Sequence, residues 1–177
     1  MYKQIPELSK IFDLKEDDLF VDVGGYIGDF TKHVFDNFQC ECLVFEPFFP
    51  DAKERFKGHP KIRVIDCGLG DKTELKDVYE HREGTSVFQD WHNVQEPSGK
   101  VLLLDARLIN TLDIKAIKLN CEGSEYEILK AIEPKIPQIL VQFHKIKDEK
   151  YNEVVELLSK THVQTKFEKG WELWKIK

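Results

Sequence analysis

A glycine-rich turn between a strand and a helix is the feature that most constrains how this chain can fold. It lies in residues 19–29, which read Leu-Phe-Val-Asp-Val-Gly-Gly-Tyr-Ile-Gly-Asp. Apolar residues before Gly24 are spaced as in a strand, whereas those after Gly28 follow helical spacing. Glycine permits a sharp turn and close approach to a ligand, and a new helix offers unpaired N–H groups. The stretch therefore predicts a nucleotide-type cofactor site.

A second apolar run, residues 43–46, ends in an acid. In a strand-turn-helix-strand unit, an acid about 20 residues after the glycines lies beside their turn and can accept the hydroxyls of a bound ribose. Glu46 is therefore the candidate ribose ligand. The alternative is a solvated acid before the turn at Pro47.

Composition predicts one domain spanning residues 1–177. With 41% hydrophobic residues, the chain can bury a sizeable core. A formal net charge of −6 with dispersed lysines argues against a nucleic-acid partner. No apolar run reaches the roughly 18 residues of a membrane span, and no signal peptide is evident, so we expect a cytoplasmic protein. Histidines occur singly and cysteines lack CxxC pairs, so no metal site is expected.

Strands and helices alternate along most of the chain, which predicts a doubly wound, mostly parallel α/β sheet. Residues 1–18 are expected to form an N-terminal helical cover. Residues 73–111 contain short strand-like runs and polar turns, and are predicted to be inserted strands and a loop that could act as an acceptor lid. Residues 164–177 are predicted to form an antiparallel C-terminal hairpin.

In such a sheet, ligands bind beyond the C-terminal ends of the strands. This rule gathers several segments onto one rim of the predicted sheet. They are residues 24–28, Glu46, residues 66–68, residues 120–122 and residues 142–144.

Four runs on this frame resemble a known family. They are residues 21–28, 44–47, 111–113 and 117–125, and the last, Ile-Lys-x-x-x-Glu-Gly-x-Glu, is the most specific. The set resembles the FkbM family of S-adenosylmethionine-dependent methyltransferases. This resemblance implies a class I methyltransferase fold, which is Rossmann-like, with S-adenosyl-L-methionine as the cofactor. It also implies methyl transfer to a hydroxyl of a sugar, a glycan or a small metabolite.

The resemblance also implies roles for residues on the rim. Gly24 and Gly28 would lie against the methionyl part of the cofactor, and Glu46 would hold the ribose. Asp66, or the backbone near Cys67, would meet the adenine. The other cofactor-binding candidates are Asp22, Gly25, Tyr26 and Asn120. Asp22 would orient the glycine turn, and the alternative for it is a surface-facing acid.

Methylation of a hydroxyl also needs a group that accepts its proton. His144, after an apolar strand on the predicted rim, is the first candidate, and Glu122 is the second. Asn120 could donate a hydrogen bond to the acceptor or cofactor. The structural alternatives are a histidine satisfied by its neighbours and an acid that favours a helix N-terminus.

Three positions depart from the family pattern. Gly25-Tyr26 replaces a common Ala-Asn, Asn120 stands where Asp is usual, and Gln142 replaces a frequent Glu. The last two remove carboxylates from the acceptor side, which predicts transfer without a metal ion. They also leave open a catalytically degenerate partner protein that only binds the cofactor.

A nicotinamide-dependent oxidoreductase is the other alternative. Its fingerprint is G-x-G-x-x-G, whereas the glycines here are spaced G-G-x-x-G. The acceptor itself is not identified by sequence. Tyr79, Phe88, Trp91 and His92 could line an acceptor wall or pack a hairpin onto the core. Trp171 and Trp174 could cover a sheet edge or form a homodimer contact.

Overall fold

Eleven strands and five α-helices occur in the part of the chain that the computed structural model describes, which is residues 5–81, 84–89, 94, 96–132, 135–144 and 148–177. Trp91 and His92 lie outside the described residues. The strands are β1 (Leu19–Val23), β2 (Glu41–Phe45), β3 (Ile62–Ile65), β4 (Gly68–Gly70), β5 (Glu74–His81), β6 (Gly84–Ser86), β7 (Gly99–Asp105), β8 (Ile114–Leu119), β9 (Gln138–Gln142), β10 (His162–Lys166) and β11 (Trp171–Ile176). The helices are α1 (Ile5–Leu8), α2 (Asp29–Phe38), α3 (Pro50–Arg55), α4 (Glu125–Ala131) and α5 (Asp148–Ser159).

Seven strands form the main sheet, in the order β10-β11-β9-β8-β1-β2-β3. β11 pairs antiparallel with both β9 and β10, whereas the other strand pairs of this sheet are parallel, so the predicted mostly parallel sheet with an antiparallel C-terminal hairpin is confirmed. The chain proceeds outward from β1 to β2 and β3, and then returns to β8 on the other side of β1. The strand order therefore reverses between β1 and β8, and such a switch point is where these sheets bind ligands.

Both faces of the main sheet are covered, as a parallel sheet requires. On one face, Ile117 and Ile139 pack with Tyr126 and Leu129 of α4 and with Leu158 of α5. The opposite face carries a second core, which includes residues of α2 and of the N-terminal segment. This second core contains Leu8, Phe12, Leu14, Phe20, Phe30, Val34, Val44, Ala116, Leu140 and Trp171.

The N-terminal helix is shorter than its apolar spacing suggests. The amides of Lys10 and Ile11 bond to carbonyls only three residues back, so the helix tightens and ends. The chain beyond it is held by the Gln138 side chain, which bonds both the amide and the carbonyl of Asp13 at 2.8 Å.

Residues 73–111 contribute three of the four strands of a second sheet, ordered β4-β7-β5-β6. β5 pairs antiparallel with β6 and β7, whereas β4 pairs parallel with β7. Val78, Val87, Val101 and Leu103 form a small core on this sheet. The segment is thus a folded layer beside the main sheet.

The C-terminal hairpin lies within the main sheet, because β11 inserts between β9 and β10. Trp174 is fully buried, and the Trp171 ring stacks at 6.4 Å from that of Phe30. Both tryptophans therefore belong to the core of this chain and offer no exposed ring to a second copy. Among the described residues, no helix is long and apolar enough to cross a membrane.

Candidate functional site

The glycine turn packs directly against the end of β8. Gly24 has φ +78°, and a Cβ placed on it would lie 2.0 Å from the backbone oxygen of Asn120. Its amide bonds the Phe45 carbonyl at 2.9 Å. Only glycine fits this position, because both its backbone angle and its neighbour exclude a side chain. The turn therefore forms a wall of the crevice between β1 and β8.

The next two glycines also stand in tight contacts. A Cβ on Gly25 would lie 2.3 Å from Val44 Cγ1, and one on Gly28 would lie 2.5 Å from Phe56 Cε2. Gly28 has φ +82° and is the N-cap of α2. The turn is thus closed by strand β2 on one side and by the residue after α3 on the other.

Two non-glycine residues on the rim adopt left-handed backbone angles, Tyr26 at φ 51° and Glu122 at φ 50°. Such angles are unfavourable for bulky side chains and occur often at functional sites. The Tyr26 ring is partly exposed and meets the Phe49 ring edge-to-face at 4.5 Å. An aromatic pair therefore borders the glycine turn.

Glu46 follows β2 directly and lies beside the glycine turn, in the place that the sequence predicts. Its Oε2 accepts the Tyr26 amide at 2.6 Å, and its Oε1 accepts the amides of Phe48 and Phe49 at 2.8 and 3.2 Å. Burial raises the pKa of Glu46, and these amide bonds oppose that effect. A carboxylate has about four acceptor positions, so one on Oε2 is left for a further donor.

A buried ion pair lies beneath the turn. Asp22 is fully buried, which excludes the surface-facing alternative, and it accepts hydrogen bonds from Thr31 Oγ1 at 2.6 Å and Lys118 Nζ at 2.8 Å. Lys118 also donates to the Gly24 carbonyl at 2.6 Å. Asp22 is therefore connected to the turn through Lys118.

The two candidates for adenine contact differ in exposure. Asp66, just after β3, is about half exposed and pairs with Lys53. Cys67 is buried, and burial raises the pKa of its thiol to about 11. The thiol is therefore neutral near pH 7 and faces the core.

Asn120 follows β8, which flanks β1 on the side opposite β2, the strand that Glu46 follows. Its amide bonds the Val23 carbonyl at 3.0 Å. Its side-chain Oδ1 is buried and has no hydrogen-bond partner among the described residues. An orphaned buried acceptor costs about 1–3 kcal/mol, so its retention beside the switch point is consistent with a ligand that donates to it.

A histidine and two glutamates meet on the part of the rim that the sequence analysis predicts to bind the acceptor. His144 Nδ1 lies 2.9 Å from Glu125 Oε1, and His144 Nε2 lies 3.5 Å from Glu122 Oε1. Glu125 is fully buried and also accepts the amides of Cys121 and Gly123. Burial disfavours the imidazolium, but the hydrogen bond to Glu125 and the charges of both glutamates outweigh it and raise the pKa of His144.

Strand β6 rests against the turn that carries Glu122. Ser86 Oγ donates to the Glu122 carbonyl at 2.7 Å, and a Cβ on Gly84 would lie 2.6 Å from Glu122 Oε2. The Gln142 side chain, in contrast, bonds the C-terminal hairpin, because its Nε2 donates to the Lys169 carbonyl at 3.0 Å. The second sheet thus borders the turn that carries Glu122, and Gln142 secures the C-terminal hairpin.

Two residues of this site had no predicted role beyond a place in a sequence run, Lys118 and Glu125, and Thr31, which bonds Asp22 from α2 behind the site, had none either. The sequence does contain a signal for the pairing of Asp22 with Lys118. The two residues carry opposite charges inside apolar strands, and buried charges are almost always paired. Among the described residues, no group of three His, Cys, Asp or Glu side chains is arranged to hold a metal ion.

A cleft of about 380 Å³ lies at the opposite end of the main sheet. Gln138 and Lys175 in its wall already bond the backbone of the N-terminal segment. Among the described residues that line this cleft, no buried side-chain acceptor lacks a hydrogen-bond partner.

No protein-family model matches the chain, and no curated protein matches its sequence. Solved structures share its fold at low identity. P. horikoshii TYW2 in complex with MeSAdo is 12% identical with a TM-score of 0.51, and the match covers 99% of this chain and 62% of that one. An RNA methyltransferase from Salinibacter ruber, in complex with S-adenosyl-L-homocysteine, is 10% identical with a TM-score of 0.52, over 99% and 91% of the two chains. A precorrin-6y C5,15-methyltransferase from Geobacter metallireducens GS-15 is 9% identical with a TM-score of 0.52, over 98% and 86%.

These likenesses show the fold, which is the Rossmann-like class I methyltransferase fold, as predicted. The chain spans about 62% of the length of the P. horikoshii protein.

Proposed function

We propose that this chain is an S-adenosylmethionine-dependent methyltransferase of the FkbM type. Its acceptor would be a hydroxyl on a sugar, a glycan or a small metabolite. The observation that carries the proposal is the crevice between β1 and β8, where Gly24 is pressed against Asn120 and Glu46 stands beside the turn. The structures of similar fold include proteins whose names state methyl transfer.

The crevice residues fit this cofactor. Gly24 and Gly28 would hold its methionyl part, and the remaining acceptor position on Glu46 Oε2 suits a ribose hydroxyl. Asn120 Oδ1 suits the methionyl ammonium or the acceptor hydroxyl, both of which donate hydrogen bonds. Asp66 or the backbone near Cys67 would meet the adenine. When bound, the cofactor supplies a methyl group on a sulfonium centre whose leaving group is a neutral thioether.

The residues of the chain would chiefly position the acceptor and receive its proton. A carboxylate only accepts, so the Glu125 bond places the proton of neutral His144 on Nδ1 and leaves Nε2 as the base. As the acceptor O–H bond breaks, His144 Nε2 would receive the proton, and the acceptor oxygen would take the methyl group in place of the sulfonium sulfur, which would leave as the neutral thioether. The resulting imidazolium is stabilised by Glu125 and Glu122, which face its two nitrogens.

The acceptor and partner assignments rest on composition and on the second sheet. A net charge of −6 favours a small molecule or glycan over nucleic acid, and the segment 73–111 would act as the acceptor lid. A metal ion is not required for this step, because both the base and the leaving group are accounted for. We further propose that residues 1–177 form a single cytoplasmic domain.

Calorimetric titration with S-adenosylmethionine and with NAD tests the cofactor class. We expect selective binding of S-adenosylmethionine and, for Glu46→Gln, a loss of affinity of about tenfold or more, because a hydrogen bond to a charged group is removed. Glu41→Ala, which changes an exposed acid at the other end of β2, is the matched control. Selective NAD binding, or binding of neither ligand, would refute the proposal.

Turnover separates the enzyme from the degenerate binder. With a panel of sugar and metabolite hydroxyls, an enzyme releases S-adenosylhomocysteine in an acceptor-dependent way. A protein that binds the sulfonium cofactor tightly but releases none across the panel would instead be a cofactor-binding partner protein.

A further inference from the structure

Lys118 is a buried cation in the centre of the main sheet, on β8. Its Nζ donates to Asp22 Oδ1 at 2.8 Å and to the Gly24 carbonyl at 2.6 Å. The Lys118 side chain is only 4% exposed, and the Asp22 side chain is fully buried. The ammonium is thus bonded to a charge on β1 and to the backbone of the glycine turn.

Stability alone does not explain this arrangement. Removing two charges from water is costly, and a buried ion pair often contributes no more than well-packed apolar residues would. The bond that an apolar pair could not replace is the one to Gly24. It fixes the peptide that follows a residue at φ +78°. Lys118 therefore determines which way the turn presents its backbone.

The same residue connects the turn with the acceptor side of the crevice. Lys118 and Asn120 are two residues apart along β8 and its extension, where the Asn120 amide continues the ladder to the Val23 carbonyl at 3.0 Å. The Asn120 carbonyl in turn lies against Gly24. Lys118 and Asn120 thus hold the end of β1 to the end of β8 at the switch point.

We propose that Lys118 is a positioning residue that sets the affinity of the glycine turn for the cofactor; this inference rests on the proposed function. Its direct bond to the Gly24 carbonyl, more than its pairing with Asp22, orders the turn before the cofactor arrives. Binding then requires less ordering of the backbone, which strengthens affinity.

The test is calorimetric titration of S-adenosylmethionine into wild type and Lys118→Met, which keeps most of the side-chain volume but removes every donor. We expect affinity to fall about 10- to 100-fold, as for loss of a charged hydrogen bond. For Lys118→Gln, which retains a donor, we expect an affinity between those of wild type and Lys118→Met. Lys118→Met alone leaves the buried Asp22 carboxylate without its cationic partner. The double variant Asp22→Asn with Lys118→Met removes that carboxylate as well, and we expect it to fold and to bind the cofactor as weakly as Lys118→Met.

Thr31→Val is the matched control, because it removes a hydrogen bond to Asp22 but leaves the bond from Lys118 to Gly24. We expect Thr31→Val to lower the free energy of unfolding and to leave the affinity for S-adenosylmethionine unchanged. Wild-type affinity in the double variant would overturn the inference and leave Lys118 a purely structural residue. Failure of wild type itself to bind the cofactor would instead refute the proposed function.

Discussion

Glu125 holds His144 from beneath, with its Oε1 2.9 Å from the imidazole Nδ1. Its two oxygens are also fixed by the amides of Cys121 and Gly123, so the carboxylate has little freedom to turn. The contact joins the start of α4 to the residue two places beyond β9. A bond of this kind fixes both the tautomer and the orientation of a histidine.

Replacing Glu125 with Gln tests whether that bond serves catalysis. Neutral His144 is the proposed base, so kcat should rise as pH rises through its raised pKa. In Glu125→Gln the imidazolium loses its anionic partner, so the pKa of His144 falls and the acidic limb of kcat against pH moves to lower pH. His144→Gln should lower kcat by about 10²–10⁴-fold.

His33 on α2 lies outside the site and provides the control, since His33→Gln should leave both kcat and its pH limb unchanged. An unaltered acidic limb in Glu125→Gln would exclude His144 as the group that titrates. Unchanged kcat in His144→Gln would exclude it as the base.

The same histidine gives a pH dependence of stability. Because the pKa of His144 is raised in the folded protein, its charged form stabilises the fold. That contribution is fully present below the unfolded-state pKa of about 6.5 and is lost as pH rises through the folded-state value. We therefore expect the difference in unfolding free energy between wild type and His144→Gln to decrease with pH, as measured by urea denaturation. A difference that stays constant, or grows, across this range would contradict the assignment.

Sequence patterns predicted the arrangement of strand, glycine turn and Glu46 well, because its signals are local. The strand, the glycine turn and Glu46 lie close together in the chain, and the apolar spacing changes where α2 begins. The alternation of strands and helices, which predicts a parallel sheet, then placed Asn120 and His144 on the same rim. Each of these steps depends on short-range spacing that a single sequence displays.

Contacts between distant segments were not predictable in the same way. Lys118 bonds Asp22 across 96 positions, and nothing local identifies which buried acid it meets. β4, which reads Gly-Leu-Gly, has no strand signal of its own and forms because β7 offers it a parallel edge. The hydrogen bond from the Gln142 side chain to the Lys169 carbonyl also depends on a pairing of separate segments. It requires β11 to lie beside β9 in the sheet.

A comparison of substitutions at Gly24 and Gly58 distinguishes the cost of a left-handed backbone angle from the cost of a steric clash. Both have left-handed φ angles, but a Cβ on Gly58 would meet nothing within 4 Å. Alanine at either position costs about 1–2 kcal/mol for the angle, and at Gly24 the clash with the Asn120 carbonyl adds about 1–3 kcal/mol. We expect Gly24→Ala to be the less stable variant in urea denaturation and to lose cofactor binding, whereas Gly58→Ala binds normally. Equal stabilities would show that the turn can move away from β8.

Ser86 provides a test of the acceptor lid. Its buried hydroxyl donates to the Glu122 carbonyl at 2.7 Å and accepts the Phe88 amide at 3.2 Å, so it ties β6 to the turn beside His144. Ser86→Ala should loosen this edge of the site and raise the KM for the hydroxyl acceptor several-fold. Affinity for S-adenosylmethionine should stay unchanged, because the bond lies on the acceptor side of the crevice.

Ser98→Ala is the matched control for the lid. Ser98 Oγ also donates to a backbone carbonyl, but this carbonyl is that of Val78 in the second sheet, at 3.2 Å, rather than that of Glu122. Removing it should change neither the acceptor KM nor the cofactor affinity. An equal rise in acceptor KM in both variants would mean that the second sheet acts only through its overall stability. A rise confined to Ser86→Ala would link acceptor binding to the contact between β6 and Glu122, since the two substitutions remove the same kind of bond from the same sheet.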